Sequence, residues 1–212
     1  MIIQSTNLAR PQRDPGGADR ISGIDKRPVP AIDVFAPGPD YGDGSGVDGD
    51  VIGDVEHHGG ADKAVYAFAR EELDYWQERL GRTLVDGCFG ENLTTTGIVW
   101  KDVQINQQVK VGTAVLEVSV PRTPCRTFAG WMDEKGWVKT FAEHGEAGAY
   151  LRVITPGTIR AGDEIEFVGD PGHGFTMGDA VAAKMGDKEL AGQAVEKRLF
   201  PAHLHERLAR LA

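Results

Sequence analysis

The sequence predicts a mixed α/β fold, predominantly β, with short peripheral helices and a small helical subdomain at its C-terminal end. Three observations predict it. Glycine is abundant, 28 of 212 residues, and punctuates the chain with turns. The apolar runs are short and several alternate, as half-buried strands do. Beyond Asp170-Pro171-Gly172-His173-Gly174 the composition turns Ala- and Leu-rich with helical spacing.

In chain order the first candidate strand is Ala31–Phe35, followed by a Gly-, Asp- and Pro-rich loop over Pro37–Gly49. Ala64–Ala69 is an apolar strand. Glu71–Leu80 places Leu73, Trp76 and Leu80 on one helix side and ends at Gly81, a good C-terminal capping residue. Val103–Val111 and Val115–Val120 follow as strands, the second with Leu116, Val118 and Val120 on one face and Glu117 and Ser119 on the other. A short helix is expected within Trp131–His144, then strands Tyr150–Thr155 and Glu164–Val168, flanked by the turn signals Thr155–Thr158 and Ala161–Asp163. Thr176-Met177-Gly178-Asp179 reads as a helix-start capping sequence, and two or three helices reach Leu211 with a break at Pro201. The expected division is 1–170 for the β domain and 171–212 for the helical subdomain.

Hydrophobic residues at 41% and charged residues at 26% suit an ordinary soluble chain with one sizeable core. A formal charge of -9 gives no basis for a nucleic-acid groove or an anionic membrane surface, so an anionic ligand would need a local basic patch. Two cysteines, Cys88 and Cys125, form neither a CxxC pair nor a cluster site nor a disulfide framework. No signal peptide or membrane-length apolar run is read, and the cytoplasm is the expected location.

The most informative local feature is Ser119-Val120-Pro121-Arg122-Thr123-Pro124-Cys125-Arg126. Prolines stiffen the backbone that carries the thiol, and nearby arginines favour thiolate, the form that attacks electrophiles and binds metal. The competing reading is a small buried hydrophobe, which is also how Cys88, lacking a basic neighbour, is read. Gly44-Ser45-Gly46-Val47-Asp48-Gly49 matches a dinucleotide-binding string, but Asp50-Val51-Ile52-Gly53-Asp54 is no helix start, so the required strand–turn–helix is missing. Calcium loops counted from Asp43 or Asp48 put Asp54 or Gly59 where glutamate is needed. His57-His58-Gly59-Gly60-Ala61-Asp62-Lys63 is either a tight turn or a ligand-contacting segment, with Lys63 as a point charge for phosphate. Gly87–Gly97 is polar and threonine-rich, fit to bond a ligand or to cap turns.

Taken in order, Ser22–Val29, Gly46–Asp50, His57–Val65, Phe89–Thr95, Val118–Cys125, Gly148–Val153 and Ala161–Asp163 resemble the MOSC domain family, in particular its bacterial YiiM-like branch. The resemblance spans about residues 20–170 and, in the helical tail, the three-helix appendage of that branch. It implies a MOSC β-barrel that binds the molybdenum cofactor, a molybdopterin, with Cys125 as the metal ligand and catalytic centre. A thiolate suits molybdenum as a soft ligand. Lys26, Arg27, Lys63, Arg122 and Arg126 are then the candidates for the cofactor's anionic phosphate, while His58, Glu91 and Asn92 contact the pterin or orient those cations. The implied activity is reduction of N-hydroxylated compounds, such as hydroxylamines and N-hydroxylated base analogues, to amines. With no dinucleotide, cluster or haem motif in the chain, electrons come from a separate flavin- or NAD(P)H-dependent reductase. Neither a nucleic-acid nor a membrane partner is expected, and a homodimer is allowed for. Alternatives are sulfur transfer through a Cys125 persulfide and a non-catalytic cofactor carrier; no pyridoxal phosphate is expected in a chain this short.

Overall fold

Alternation sets the sheet. In the strand Ala114–Val118, Ala114, Leu116 and Val118 are buried, while Val115 and Glu117 are not. The structure, a computed structural model, describes residues 1–212. Its strands are β1 (Ile2–Ala9), β2 (Gln12–Arg13), β3 (Ile21–Ser22), β4 (Lys26–Val29), β5 (Ala31–Val34), β6 (Val65–Ala69), β7 (Leu93–Thr96), β8 (Gln108–Val111), β9 (Ala114–Val118), β10 (Ala149–Thr155), β11 (Gly157–Arg160) and β12 (Ile165–Val168). Helices are α1 (Arg70–Leu80), α2 (Arg126–Met132), α3 (Trp137–His144), α4 (Met177–Lys184), α5 (Lys188–Glu196) and α6 (Ala202–Ala209).

Eight strands form one sheet in the order β12-β8-β9-β10-β6-β7-β1-β4, with β5–β11 and β2–β3 as separate pairs. The sheet curls into a half-barrel. Its two sides meet where Ile3 N donates to Asp163 O at 2.9 Å and Ile165 N to Met1 O at 3.0 Å. Only β6 and β7 run parallel; α1 makes the crossover and ends at Gly81, whose left-handed φ of 64° lets its N–H reach Gln77 O and Glu78 O.

Several strands went unread in the sequence because their buried faces are polar. Ser5, Thr6 and Asn7 of β1 are buried and bonded: Ser5 Oγ to Asn7 Oδ1 at 2.8 Å, Thr6 Oγ1 to Val29 O at 2.7 Å, Asn7 Nδ2 to Thr94 Oγ1 at 3.0 Å. In β7, buried Thr95 accepts from Trp100 Nε1 at 3.0 Å. The expected strand Val103–Val111 shrinks to Gln108–Val111, because Asn106 takes a left-handed φ of 64° and residues 104–107 form a turn. The short helix expected within Trp131–His144 is α3; ahead of it the structure adds α2, which starts directly after Cys125 and is separated from α3 by left-handed Asp133 and Gly136.

Thr176 caps α4 as the sequence suggests. Its hydroxyl accepts from Asp179 N at 3.2 Å, and Asp179 Oδ2 accepts from Thr176 N at 2.8 Å. Pro201 is the N-cap of α6. Ala180, Ala183, Ala191, Ala194, Leu204 and Leu208 bury their side chains in the same apolar cluster as Leu116, Val118 and Leu151 of the sheet. A second, aromatic cluster on the other side joins Phe68, Trp76, Phe89, Phe128, Trp137 and Phe141. Trp76 and Trp137 meet edge-on with ring centroids 4.7 Å apart.

Candidate cofactor and active site

The sheet pairing of β9 runs on past its end, with Ser119 N donating to Tyr150 O at 2.9 Å and Tyr150 N to Val120 O at 3.1 Å. Pro121 and Pro124 then lack the N–H a ladder needs. The chain turns away, and Cys125 becomes the N-cap of α2, half-buried in the wall of an open cleft. Trp131, on the same helix, is half-buried and donates through Nε1 to Cys88 O at 2.6 Å.

Of the residues picked out in the sequence, Lys26, His58, Lys63, Asn92, Arg122 and Cys125 line this cleft together. Arg27, Glu91 and Arg126 do not line it. Arg27 is largely exposed and pairs with Asp25 at 2.7 Å; Arg126 is exposed at the start of α2. Glu91 is fully buried beneath the cleft wall and accepts from Gly87 N at 2.6 Å, Phe89 N at 3.0 Å and Thr94 Oγ1 at 2.9 Å. It therefore shapes the loop that presents Asn92 and Phe89. Burial lifts its carboxyl to about 7. Cys88 is buried, and burial with nearby Glu91 pushes its thiol up, as suits apolar filler.

The cations of the cleft fall into two kinds. Lys26 is paired with Asp50, whose Oδ2 also accepts from Asn92 Nδ2 at 2.9 Å and Ser45 Oγ at 3.2 Å. Arg20 bonds Asp14 at 2.7 Å and lies 3.1 Å from Asp54. Lys63 and Arg122, by contrast, satisfy themselves on carbonyls. Lys63 Nζ donates to His57 O at 2.6 Å and sits 4.4 Å from the Tyr41 ring centre. Arg122 donates to Phe89 O, with its guanidinium 3.9 Å from the Phe128 ring centre and 4.9 Å from that of Tyr66. In an acidic chain, these are two positive charges held at one cleft without carboxylate partners.

Burial lowers Lys63 to about 8, which leaves it mostly charged at neutral pH. Burial, with Lys63 and Arg122 nearby, lowers His58 to about 3, so its imidazole is neutral there; Nδ1 lies 3.4 Å from Tyr150 Oη. Burial raises Tyr150 to about 12, keeping its phenol protonated.

The donor set fits a cofactor that brings most of its own metal ligands. No group of three or more His, Cys, Asp or Glu side chains is gathered to hold a bare metal ion, whereas one thiol faces a cleft with two uncompensated cations suited to an anionic group.

Sequence reasoning missed Arg20, Asp50, Tyr66 and Tyr150. Arg20 stands alone in a Gly-rich stretch, and the two tyrosines read simply as strand residues. Asp50 closes the Gly46–Asp50 segment, where an acid among glycines reads as a turn.

The MOSC domain family model matches residues 54–166. The Bacillus subtilis protein YflK is 32% identical over 206 residues, covering 96% of this chain and 89% of YflK. The chain belongs to the MOSC domain family. This MOSC protein is also 35% identical over 129 residues to a Gibberella moniliformis protein named "Reductase", a stretch covering 57% of the chain but 23% of that protein. Its fold superposes on the crystal structure of YiiM from Geobacillus stearothermophilus with a TM-score of 0.78 at 26% identity, covering 99% of this chain and 98% of the other. No helix of the MOSC protein is long and apolar enough to cross a membrane.

Proposed function

We propose that this MOSC protein binds the molybdenum cofactor with Cys125 as the protein's metal ligand and reduces N-hydroxylated small molecules to amines. The observation that carries this reading is the Cys125 thiol on a cleft whose Lys63 and Arg122 lack carboxylate partners. The reductase-named relative supports the same reaction class. Lys63 and Arg122 hold the cofactor's anionic phosphate. Tyr150 presents a donor to its ring or to the substrate, Asn92, whose amide is bonded to Asp50, Asn7 O and Tyr66 N, holds the cleft wall in place, and neutral His58 offers a nitrogen as donor or acceptor. Lys63 keeps a proton on Nζ near neutral pH, available at the cleft. When bound, the cofactor supplies two-electron reduction, so that an N–OH group, two electrons and two protons give N–H and water. The electrons come from a separate flavin- or NAD(P)H-dependent reductase.

The test is molybdenum and pterin content of protein purified from a cofactor-making host, wild type against Cys125→Ser. Near-stoichiometric metal, lost in the variant together with reduction of an N-hydroxylated base by an artificial donor, is expected. Cys88→Ser should keep both. Metal-free wild-type protein that carries a cyanide-labile persulfide on Cys125 would replace this reading with sulfur transfer; stoichiometric cofactor without turnover would make the protein a carrier.

A further inference from the structure

The backbone that leads to Cys125 is poorly tied down by itself. Between Val120 O, bonded to Tyr150 N, and Cys125 O, bonded to Ala129 N, residues 121–124 make no main-chain to main-chain hydrogen bond. Two side-chain cations hold the segment instead. Arg122 reaches Phe89 O, and Lys184, the last residue of α4, donates from Nζ to Pro121 O at 3.1 Å. Pro121 can hand its carbonyl to no sheet neighbour, because the ladder has ended before it.

We propose that Lys184 is a positioning residue for the Cys125 loop, by which the C-terminal helices set the place of the thiol in the cleft. Three observations argue that this lysine is more than packing. Its ammonium has no carboxylate partner, and Pro121 O is its one hydrogen-bond acceptor. The pocket that half-buried Lys184 lines is walled mainly by Pro121, Pro124, Phe141, Ala147 and Val181, with Thr123 and the like-charged Arg122 beside them and no carboxylate. It also lies beyond residues 54–166, the span the family model matches, so a device of the tail acts on the family's core. Burial, with Lys63 and Arg207 adding to it, lowers Lys184 to about 7. A methionine of similar length would suit such a site better for stability alone. A hydrophobe would cost less at this position, and what the lysine adds is its bond to the Pro121 carbonyl.

This inference takes Cys125 as the working thiol but needs no cofactor, so it is tested on cofactor-free protein in a Cys88→Ser background with one thiol. The reading is the rate of Cys125 alkylation by iodoacetamide, with the thermal midpoint recorded beside it. In Lys184→Met the rate should rise by a factor of about 3 to 10, the scale that losing one charge-assisted hydrogen bond puts on a local opening equilibrium, with the midpoint unchanged or higher. Lys184→Arg, which restores a donor, should bring the rate back towards wild type. If Lys184→Met does not melt cooperatively, Lys184→Gln, too short to reach the carbonyl, carries the same two outcomes. A folded variant that alkylates at the wild-type rate overturns the proposal, as does an acceleration that Lys184→Arg leaves in place. Failure of the molybdenum assay with success here would remove the metal role and leave the loop contact standing.

Discussion

The Lys26–Asp50 pair should break asymmetrically. Both side chains are nearly sealed from solvent, at 6% and 1% exposure. Asp50 has three further donors, Ala9 N at 3.0 Å on Oδ1 and Asn92 Nδ2 and Ser45 Oγ on Oδ2, whereas the ammonium of Lys26 has Asp50 alone. Asp50→Asn therefore strands a buried positive charge and, whichever way the amide turns, sets its N–H₂ against at least one donor, Ala9 N on one side or Asn92 and Ser45 on the other, a loss of about 3–5 kcal/mol. At about 2–4 °C per kcal/mol for a chain of this size, the melting midpoint should fall by roughly 10 °C. Lys26→Met removes one donor from an acid that keeps three and fills the space with apolar atoms, for about 1 kcal/mol. Urea unfolding of wild type, both single variants and the double variant at pH 7 measures all four corners. A cost for Lys26→Met equal to or above that of Asp50→Asn would refute the reasoning.

Other outcomes can be stated from single contacts. His58 is lowered to about 3 and Glu91 raised to about 7, and their effects on stability have opposite signs. The unfolded chain binds a proton that His58 refuses as pH falls below its ordinary value, so His58 costs at most about 2 kcal/mol between pH 7 and 5. Glu91 is favoured protonated in the fold, so its contribution is full below about 4.5 and fades by a similar amount, about 2 kcal/mol, as pH rises from 5 to 7. Urea midpoints should thus fall with rising pH in His58→Gln and rise in Glu91→Gln; parallel profiles for the two variants would contradict this. Gly46→Ala should cost about 1–3 kcal/mol by overpacking, since its Cβ would stand 2.5 Å from Ala64 Cβ and 2.9 Å from Phe35 O; a thermal melt checks it. Arg122→Lys keeps the charge but loses the planar contacts on Phe128 and Tyr66, so under the proposed function pterin retention after gel filtration should drop several-fold with the fold intact.

β9 and β10 were legible because alternation and burial coincide in them, and β6 because it is an unbroken apolar run buried on both faces. β1 and β7 were not, since Ser5, Thr6, Asn7, Thr94 and Thr95 sit inside only by bonding one another and the backbone, and that pairing is long-range. The same holds for the site. Cys125, Lys63 and Arg122 announce themselves by local chemistry, while Asp50 and Lys184 matter through partners far along the chain, Lys26 and Pro121. The glycine string at residues 44–49 carried a false signal for a physical reason. Gly46 is required by its approach to Ala64 and Phe35, with main-chain bonds to both, rather than by a ligand.

Trp131 lends the helix behind Cys125 an optical consequence. Of the four tryptophans, Trp76, Trp100 and Trp137 are buried, while Trp131 is half-buried on the helix that Cys125 caps. Its indole is tethered to the Cys88 carbonyl, so its emission colour and lifetime follow the seating of α2 on the Cys88 loop more closely than those of the other three. Red-edge excited fluorescence, which favours the more exposed indole, is thus a label-free readout of whether α2 stays seated on the Cys88 loop.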